Sequence, residues 1–159
     1  MMPTDRRTFL TMAGAGLLLF AQPASAKLTF VVNHSPAEWR RLLGAQRFAV
    51  MREAATEKPY SSPLLDEHRR GTFLCAACAF PLFSSATKYD SKTGWPSFWR
   101  PLPDAIGTQA DHHYRYIGGA TEVLCRRCGG HIGHVFDDGP KPTGLRYCMN
   151  GVALKFRPA

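Results

Sequence analysis

The chain has 159 residues, a length that suits one domain with a hydrophobic core of its own. Hydrophobic residues make up 45% of it and aromatic residues 11%, which excludes an intrinsically disordered chain. The net charge of +8 comes from scattered basic residues with no run longer than a pair, so we expect a solvated basic surface and no nucleic-acid partner.

The first 26 residues are predicted to be an export signal. Arg6-Arg7 precedes an apolar run, Ala13–Ala21, and Ala24-Ser25-Ala26 is a small-residue cleavage site. The run is too short to remain as a spanning helix, so we expect no stable membrane anchor. The paired arginines resemble a twin-arginine signal, with an ordinary secretory signal as the alternative. We therefore expect residues 27–159 to form a single domain in the periplasm.

Two helices are predicted at the start of this domain. Ser35 is the N-cap of the first, Pro36 suits its first position, and Glu38 completes a capping box. Gly44 is predicted to end it. A second amphipathic helix is predicted from Ala45 to about Ala55, with apolar residues at helical spacing.

From residue 72 onwards the sequence consists of short apolar runs separated by Gly and Pro. Strands are predicted at Thr72–Leu74, Tyr114–Ile117, Glu122–Leu124 and Arg146–Leu154. Helices followed by strands with turn signals predict an α+β fold, mainly β, with an antiparallel β core.

Four of the five cysteines form two C-x-x-C pairs, Cys75 with Cys78 and Cys125 with Cys128. Two such pairs make a tetrahedral four-sulfur site suited to one structural zinc ion. Disulfides within the pairs, a redox-active pair and iron are the alternatives. A zinc ion with four thiolates has no open position for a substrate, which leaves Cys148 for other chemistry.

Cys148 lies between Arg146 and Asn150 in a predicted strand, where residues two apart share a face. A guanidinium stabilises a thiolate, and the thiolate is the nucleophilic form. The alternative is a buried cysteine that acts as a small hydrophobic residue.

Two further motifs have possible chemistry. The aromatic segment Gly94–Trp99 is either a core cluster or a wall for an apolar group such as a methyl. His131 and His134 follow the second cysteine pair in a glycine-rich segment, and histidine is the usual acid or base near neutral pH. Structural histidines or a second zinc site are the alternatives there. His112-His113 lies next to no cysteine and is predicted to be structural.

These motifs resemble, in the same order, those of the B-type methionine sulfoxide reductases. The resemblance extends from about Ser35 to Phe156, nearly all of the predicted mature chain. The matching segments are Cys75-x-x-Cys78, Pro81–Ser84, Lys88–Ser91, Gly94–Phe98, Cys125-x-x-Cys128, His131–Phe136, Asp138–Pro140, Thr143-Gly144 and Arg146–Asn150.

The resemblance implies N-terminal helices packed on two antiparallel sheets with a zinc staple at one end, an Mss4-like β-tent. It implies a peptide-methionine (R)-S-oxide reductase, an oxidoreductase that reduces the R epimer of methionine sulfoxide, free or in proteins. Its partners would be proteins or peptides containing methionine sulfoxide, and it is expected to be a monomer.

The resemblance also implies a role for each site residue. Cys148 would be the nucleophile and would become a sulfenic acid. Trp95 would pack on the sulfoxide methyl group, and Phe136 would also bind substrate. His131 and His134 would bind the sulfoxide oxygen or supply protons. Arg146 would favour the thiolate, Asn150 would position groups in the site, and Cys75, Cys78, Cys125 and Cys128 would hold the zinc.

Two positions depart from the family pattern. Many members carry a recycling cysteine where Thr93 stands here, so the resemblance implies that an external thiol reductant, thioredoxin-like or another, regenerates Cys148. Gly151 stands where serine is common. The alternative functions are a non-catalytic zinc-stapled binding module, in which Cys148 is an ordinary core residue, and a thiol-disulfide exchange protein that uses one cysteine pair.

Overall fold

The structure is a computed structural model that describes residues 28–111 and 120–159. The predicted export signal, His112-His113 and the predicted strand Tyr114–Ile117 lie outside these residues. Within them, no helix is both long enough and apolar enough to cross a membrane.

Helix α1 spans Pro36–Glu53. The hydroxyl of Ser35 accepts a hydrogen bond from the Glu38 N–H, and the Ser35 N–H donates to the Glu38 carboxylate at 2.8 Å. The predicted capping box is therefore confirmed. Gly44 interrupts α1 with φ 71° and ψ 171°, at the position where the sequence predicts a helix end. The left-handed φ explains why a glycine stands there.

In the part of the chain that the structure describes, nine strands form two antiparallel sheets, which confirms the α+β, mainly β, fold. One sheet has the order β2-β1-β9 and the other the order β3-β4-β8-β7-β6-β5. The strands are β1 Gly71–Cys75, β2 Pro81–Ser84, β3 Lys88–Tyr89, β4 Ser97–Phe98, β5 Ile106–Asp111, β6 Ala120–Cys125, β7 His131–Phe136, β8 Arg146–Met149 and β9 Leu154–Pro158.

The prediction of one strand over Arg146–Leu154 is wrong. Strand β8 ends at Met149, a 3-10 turn occupies Gly151–Ala153, and β9 joins the other sheet. The Asn150 N–H still donates to the Ile132 carbonyl at 2.8 Å, but the next two N–H groups donate to the carboxylate of Glu57. The chain turns a corner because a distant side chain takes over these N–H groups.

The core contains fully buried aromatic residues from three strands, Phe73, Phe83 and Phe98. The rings of Phe83 and Phe98 are stacked with centroids 4.3 Å apart. Met51 of α1 and Met149 of β8 belong to the same core and are 1% and 0% exposed. Because side chains alternate along a strand, Phe98 and Met149 face the core while Ser97 and Cys148 face the other way.

Candidate active site

A row of polar residues crosses the six-stranded sheet next to Cys148. Cys148 pairs with Ser97 of β4 on one side and with His134 of β7 on the other. His134 pairs in turn with Glu122 of β6, and Glu122 with Gln109 of β5. Directly paired residues of antiparallel strands share a face, so these five side chains form one continuous row.

A β-bulge places His131 on the same face as His134. Residues three apart in a regular strand point to opposite faces. Here the register shifts, so that Val123 pairs with Gly133 but Leu124 pairs with His131. The extra residue returns His131 to the face of His134, and the two ring centroids are 5.2 Å apart.

The Cys148 side chain opens into a small pocket of about 100 Å³. Five residues predicted for the site meet there, whereas His131 and Arg146 lie outside the lining. The lining residues are Thr56, Trp95, Gly133, His134, Phe136, Cys148 and Asn150. Gly133 is required because a Cβ at this position would collide with the carbonyl oxygen of Cys148. A thiol, an imidazole and aromatic rings therefore share one cavity.

Each of the two histidines is held by a carboxylate. His134 Nε2 lies 2.8 Å from Asp111 Oδ2, and His131 Nδ1 lies 2.7 Å from Glu122 Oε1. The other oxygen of Glu122 accepts a 2.6 Å hydrogen bond from Gln109. Hydrogen bonding to His131 holds the pKa of Glu122 below its ordinary value, against the opposing effect of burial. Each carboxylate therefore fixes the orientation of the imidazole that it contacts.

His131 differs from His134 in its surroundings. It is only 3% exposed, and its Nε2 has no hydrogen-bond partner among residues 28–111 and 120–159. It lines a neighbouring cavity of about 250 Å³, together with Glu122 and Arg52, and not the Cys148 pocket. The geometry therefore places His134 beside the nucleophile and His131 behind it.

The guanidinium of Arg146 forms its side-chain hydrogen bonds with Asp138 and not with Cys148. Its Nε and Nη2 donate to the two carboxylate oxygens of Asp138 at 2.8 and 2.7 Å, and its guanidinium lies 4.3 Å from the ring centroid of Phe136. The hydrogen bond to Asp138 raises the pKa of Arg146, and the negative charge of a Cys148 thiolate adds to this effect. Arg146 thus fixes the Phe136 wall and contributes positive charge near the nucleophile.

A chain of hydroxyl groups ends at Cys148. The hydroxyls of Ser97 and Ser91 are 2.7 Å apart, and those of Ser91 and Thr93 are 2.8 Å apart. The Thr93 hydroxyl lies 3.7 Å from the Cys148 sulfur. Thr93 is therefore in contact with Cys148.

The four paired cysteines form a candidate metal centre. Their sulfur atoms all lie within 4.8 Å of one another, with Cys75 and Cys128 3.7 Å apart and Cys78 and Cys125 3.6 Å apart. Sulfurs bound to one tetrahedral zinc ion at about 2.3 Å are about 3.8 Å apart, so the spacing fits. No disulfide joins any of the five cysteines. The two C-x-x-C turns, here called knuckles, have equivalent backbone hydrogen bonds. The Ala79 N–H donates to the Cys75 carbonyl, and the Gly129 N–H donates to the Cys125 carbonyl.

Arg52 lies against this centre. Its guanidinium donates to the carbonyl of Cys128 at 2.9 and 3.1 Å and lies 4.0 Å from the ring centroid of Trp39. Burial lowers the pKa of Arg52, and the nearby cysteine sulfurs oppose this change. A cation at this place offsets the negative charge of four thiolates.

Several residues of the site were not predicted as site residues from the sequence. They are Glu57, Thr56, Asp111, Glu122 and Asp138, which contact predicted site residues or line the pocket. The alternation of side chains along β6 could have assigned Glu122 to one face of the sheet. No local sequence pattern marks Glu57 or Asp111. The structure also explains Gly151, since a Cβ there would collide with the hydroxyl of Ser62.

A family model described as the SelR domain matches residues 43–158 of the chain. The chain belongs to the SelR family. The match includes every lining residue of the Cys148 pocket and all four paired cysteines, so the resemblance found in the motifs is confirmed.

Curated relatives of this SelR protein carry the name peptide methionine sulfoxide reductase MsrB. The relative from Leptospira interrogans serovar Lai is 44% identical over 131 residues, which are 82% of this chain and 98% of the relative. The relative from Bradyrhizobium diazoefficiens is 50% identical over 80% of this chain and 91% of its own length. The relative from Saccharophagus degradans is 49% identical over 75% of this chain and 88% of its own length.

Proposed function

We propose that this protein reduces methionine R-sulfoxide to methionine with Cys148 as the nucleophile. The observation that carries the proposal is the shared pocket. Cys148 pairs with His134 on the neighbouring strand, and both line the pocket together with the aromatic residues Trp95 and Phe136. The family relatives named as methionine sulfoxide reductases support the reaction type. The choice of the R epimer rests on the resemblance to B-type enzymes.

The reaction balances with groups that the pocket holds. The Cys148 thiolate attacks the sulfoxide sulfur, and His134, held by Asp111, protonates the sulfoxide oxygen. The attack forms a transient bond between the Cys148 sulfur and the sulfoxide sulfur. This bond and the S–O bond of the substrate then break as the hydroxyl moves to Cys148, which becomes a sulfenic acid. The sulfoxide sulfur gains two electrons and leaves as the thioether of methionine, and Cys148 is oxidised by two electrons. Trp95 and Phe136 hold the methyl group, and Asn150 orients the polar part of the site.

We further propose that Cys148 is regenerated by an external thiol. Thr93 lies in contact with Cys148 and has no sulfur, and the other four cysteines are gathered at the candidate metal centre. A first external thiol would form a mixed disulfide with Cys148 and release water, and a second thiol would release the reduced enzyme. A thioredoxin-like protein or a small thiol supplies the required two electrons.

The metal is proposed to be one structural zinc ion held by Cys75, Cys78, Cys125 and Cys128. When bound, it supplies folding free energy and not catalysis, because four thiolates leave no open position. The knuckles lie at the ends of β1 and β6, and Ala76 within the first knuckle donates to the Ala153 carbonyl beyond the corner that follows Asn150. The ion would thereby hold in place the part of the chain around Ala153, next to the corner that follows Asn150.

Export to the periplasm by the twin-arginine route is proposed from Arg6, Arg7 and the cleavage site before Lys27. A fusion of residues 1–30 to a reporter that matures only in the cytoplasm before export tests this. Arg6→Lys/Arg7→Lys should abolish periplasmic signal, and its persistence would indicate the general secretory route instead.

The direct test of function is a single-turnover assay on residues 27–159 without added reductant. Each epimer of a methionine sulfoxide peptide is offered to the protein. We expect about one equivalent of methionine per protein from the R epimer alone, and none from Cys148→Ser, whose metal content should stay at the wild-type level. Absence of methionine with either epimer, with Cys148 reduced and metal bound, would favour the binding module.

A further inference from the structure

Glu57 is a buried acidic residue that sequence analysis did not assign to any task. It lies four positions after the last residue of α1 and is only 8% exposed. A buried carboxylate is costly unless its oxygens accept hydrogen bonds, so its partners indicate why it is there. Those partners all lie in or next to the Cys148 pocket.

The carboxylate of Glu57 holds the corner after the catalytic strand. Oε1 accepts from the N–H of Gly151 at 2.5 Å, and Oε2 accepts from the N–H of Val152 at 2.9 Å. Hydrogen bonds to an ionised acceptor are the stronger class. Gly151 permits this approach because it has no side chain, and the hydroxyl of Ser62 occupies the space where a Cβ would lie.

The backbone of Glu57 contacts two walls of the pocket. Its N–H donates to Asn150 Oδ1 at 3.0 Å, and its carbonyl accepts from the indole Nε1 of Trp95 at 3.2 Å. Since a backbone N–H only donates, the oxygen of the Asn150 amide must point to Glu57 and its NH2 group must point away. The rotation of the Trp95 indole is limited in the same way by the carbonyl.

We propose that Glu57 is a positioning residue that sets the distance and orientation of Trp95 and Asn150 relative to Cys148. The side chain fixes residue 57 to the corner, and its two backbone groups then fix the two walls. A small misplacement of positioning groups is enough to slow a reaction by about 100-fold. This inference rests on the proposed function, since it assigns a role within the sulfoxide reaction.

Glu57→Gln tests the inference. It keeps the shape of the side chain but replaces one acceptor oxygen with an NH2 group, which cannot accept from either N–H. We expect kcat/KM for an R-sulfoxide peptide to fall about 10- to 100-fold. KM should rise because Trp95 binds the methyl group, and kcat should fall because the sulfoxide is misaligned. Glu53→Gln, an exposed change in the last turn of α1, is the matched control and should behave as wild type.

A second readout separates positioning from a general loss of structure. Iodoacetamide alkylates Cys148 without using Trp95 or Asn150, so its rate should stay within about twofold of wild type in Glu57→Gln. Metal content should also be unchanged. Equal kcat/KM in wild type and Glu57→Gln would overturn the inference, and so would a change in alkylation that parallels the loss of activity. An inactive wild-type protein would contradict the proposed function instead.

Trp95→Phe probes the same contact if Glu57→Gln folds poorly. It keeps an aromatic ring for the methyl group but removes the indole N–H that donates to Glu57. We expect kcat/KM to fall about tenfold, with alkylation of Cys148 unchanged. Wild-type kcat/KM in Trp95→Phe would show that the Glu57 carbonyl does not position the ring and would overturn the inference.

Discussion

The hydroxyl of Thr93 and the sulfur of Cys148 lie 3.7 Å apart, although 55 positions separate the two residues in the chain. The Thr93 hydroxyl, which cannot form a disulfide, therefore lies beside the proposed nucleophile Cys148. The pair therefore offers a direct way to convert the proposed one-cysteine cycle into a two-cysteine cycle.

Thr93→Cys should form an internal disulfide with Cys148 after one turnover. The new sulfur would need only a small movement to reach the bonding distance of about 2.05 Å. Mass spectrometry should find the disulfide in place of a sulfenic acid that dimedone can trap. Ser91→Cys is the control, because the Ser91 hydroxyl contacts Thr93 and Ser97 but not Cys148. A dimedone adduct on Thr93→Cys at the wild-type level would contradict the prediction.

Asp111→Asn should slow methionine formation by about 10- to 100-fold in single turnover. The Asp111 carboxylate orients His134 through a charge-assisted hydrogen bond, and a neutral amide would make a weaker one. Stopped-flow measurement of Cys148 oxidation gives the rate directly. Asp137→Asn, in the exposed turn after β7, should leave the rate unchanged. An unaltered rate in Asp111→Asn would argue against His134 as the proton donor.

In Glu122→Gln, the free energy of unfolding should depend less steeply on pH in the acid range than it does in wild type. The pKa of Glu122 is lowered in the folded protein, mainly by its hydrogen bond with His131. Its contribution to stability is therefore fully present above the unfolded-state pKa of about 4.3 and is lost as the pH falls through the lower folded-state pKa. Urea unfolding between about pH 5 and pH 3 should show a steeper loss of unfolding free energy in wild type than in the variant. Glu53→Gln should follow the wild-type curve.

Removal of the metal should destabilise the whole domain and not only the knuckles. Cys125→Ser takes away one thiolate of the four, and a structural zinc site contributes folding free energy outright. We expect the melting temperature to fall by about 10 °C or more. Mass spectrometry of the variant should show that the zinc ion is lost. Cys148→Ser should retain one zinc ion and melt near the wild-type temperature. Full stability of a zinc-free Cys125→Ser would show that the centre is not structural.

The features that sequence predicted well are those determined by neighbours in the chain. The capping box at Ser35 involves residues three apart, and each cysteine knuckle involves residues three apart with a turn between them. Their chemistry is readable because the partners lie in the same short segment. The family motifs are also local, and the three residues that they suggested for the site, Cys148, Trp95 and His134, line one pocket.

The features that sequence missed depend on contacts between distant segments. His131 and His134 share a face only through the bulge opposite β6, and the end of β8 is set by Glu57, some ninety positions earlier. Asp111 and His134 meet because β5, β6 and β7 are neighbours in one sheet. No local pattern contains this information, because the side chains that decide it belong to other elements.

The burial of Met51 and Met149 has a consequence for an enzyme that works where methionines are being oxidised. These are the only methionines in the part of the chain that the structure describes, and both are sealed in the core. Both thioethers are therefore shielded from an oxidant in the surrounding medium. The protein's own methionines are thus poor targets for the modification that it is proposed to reverse in others.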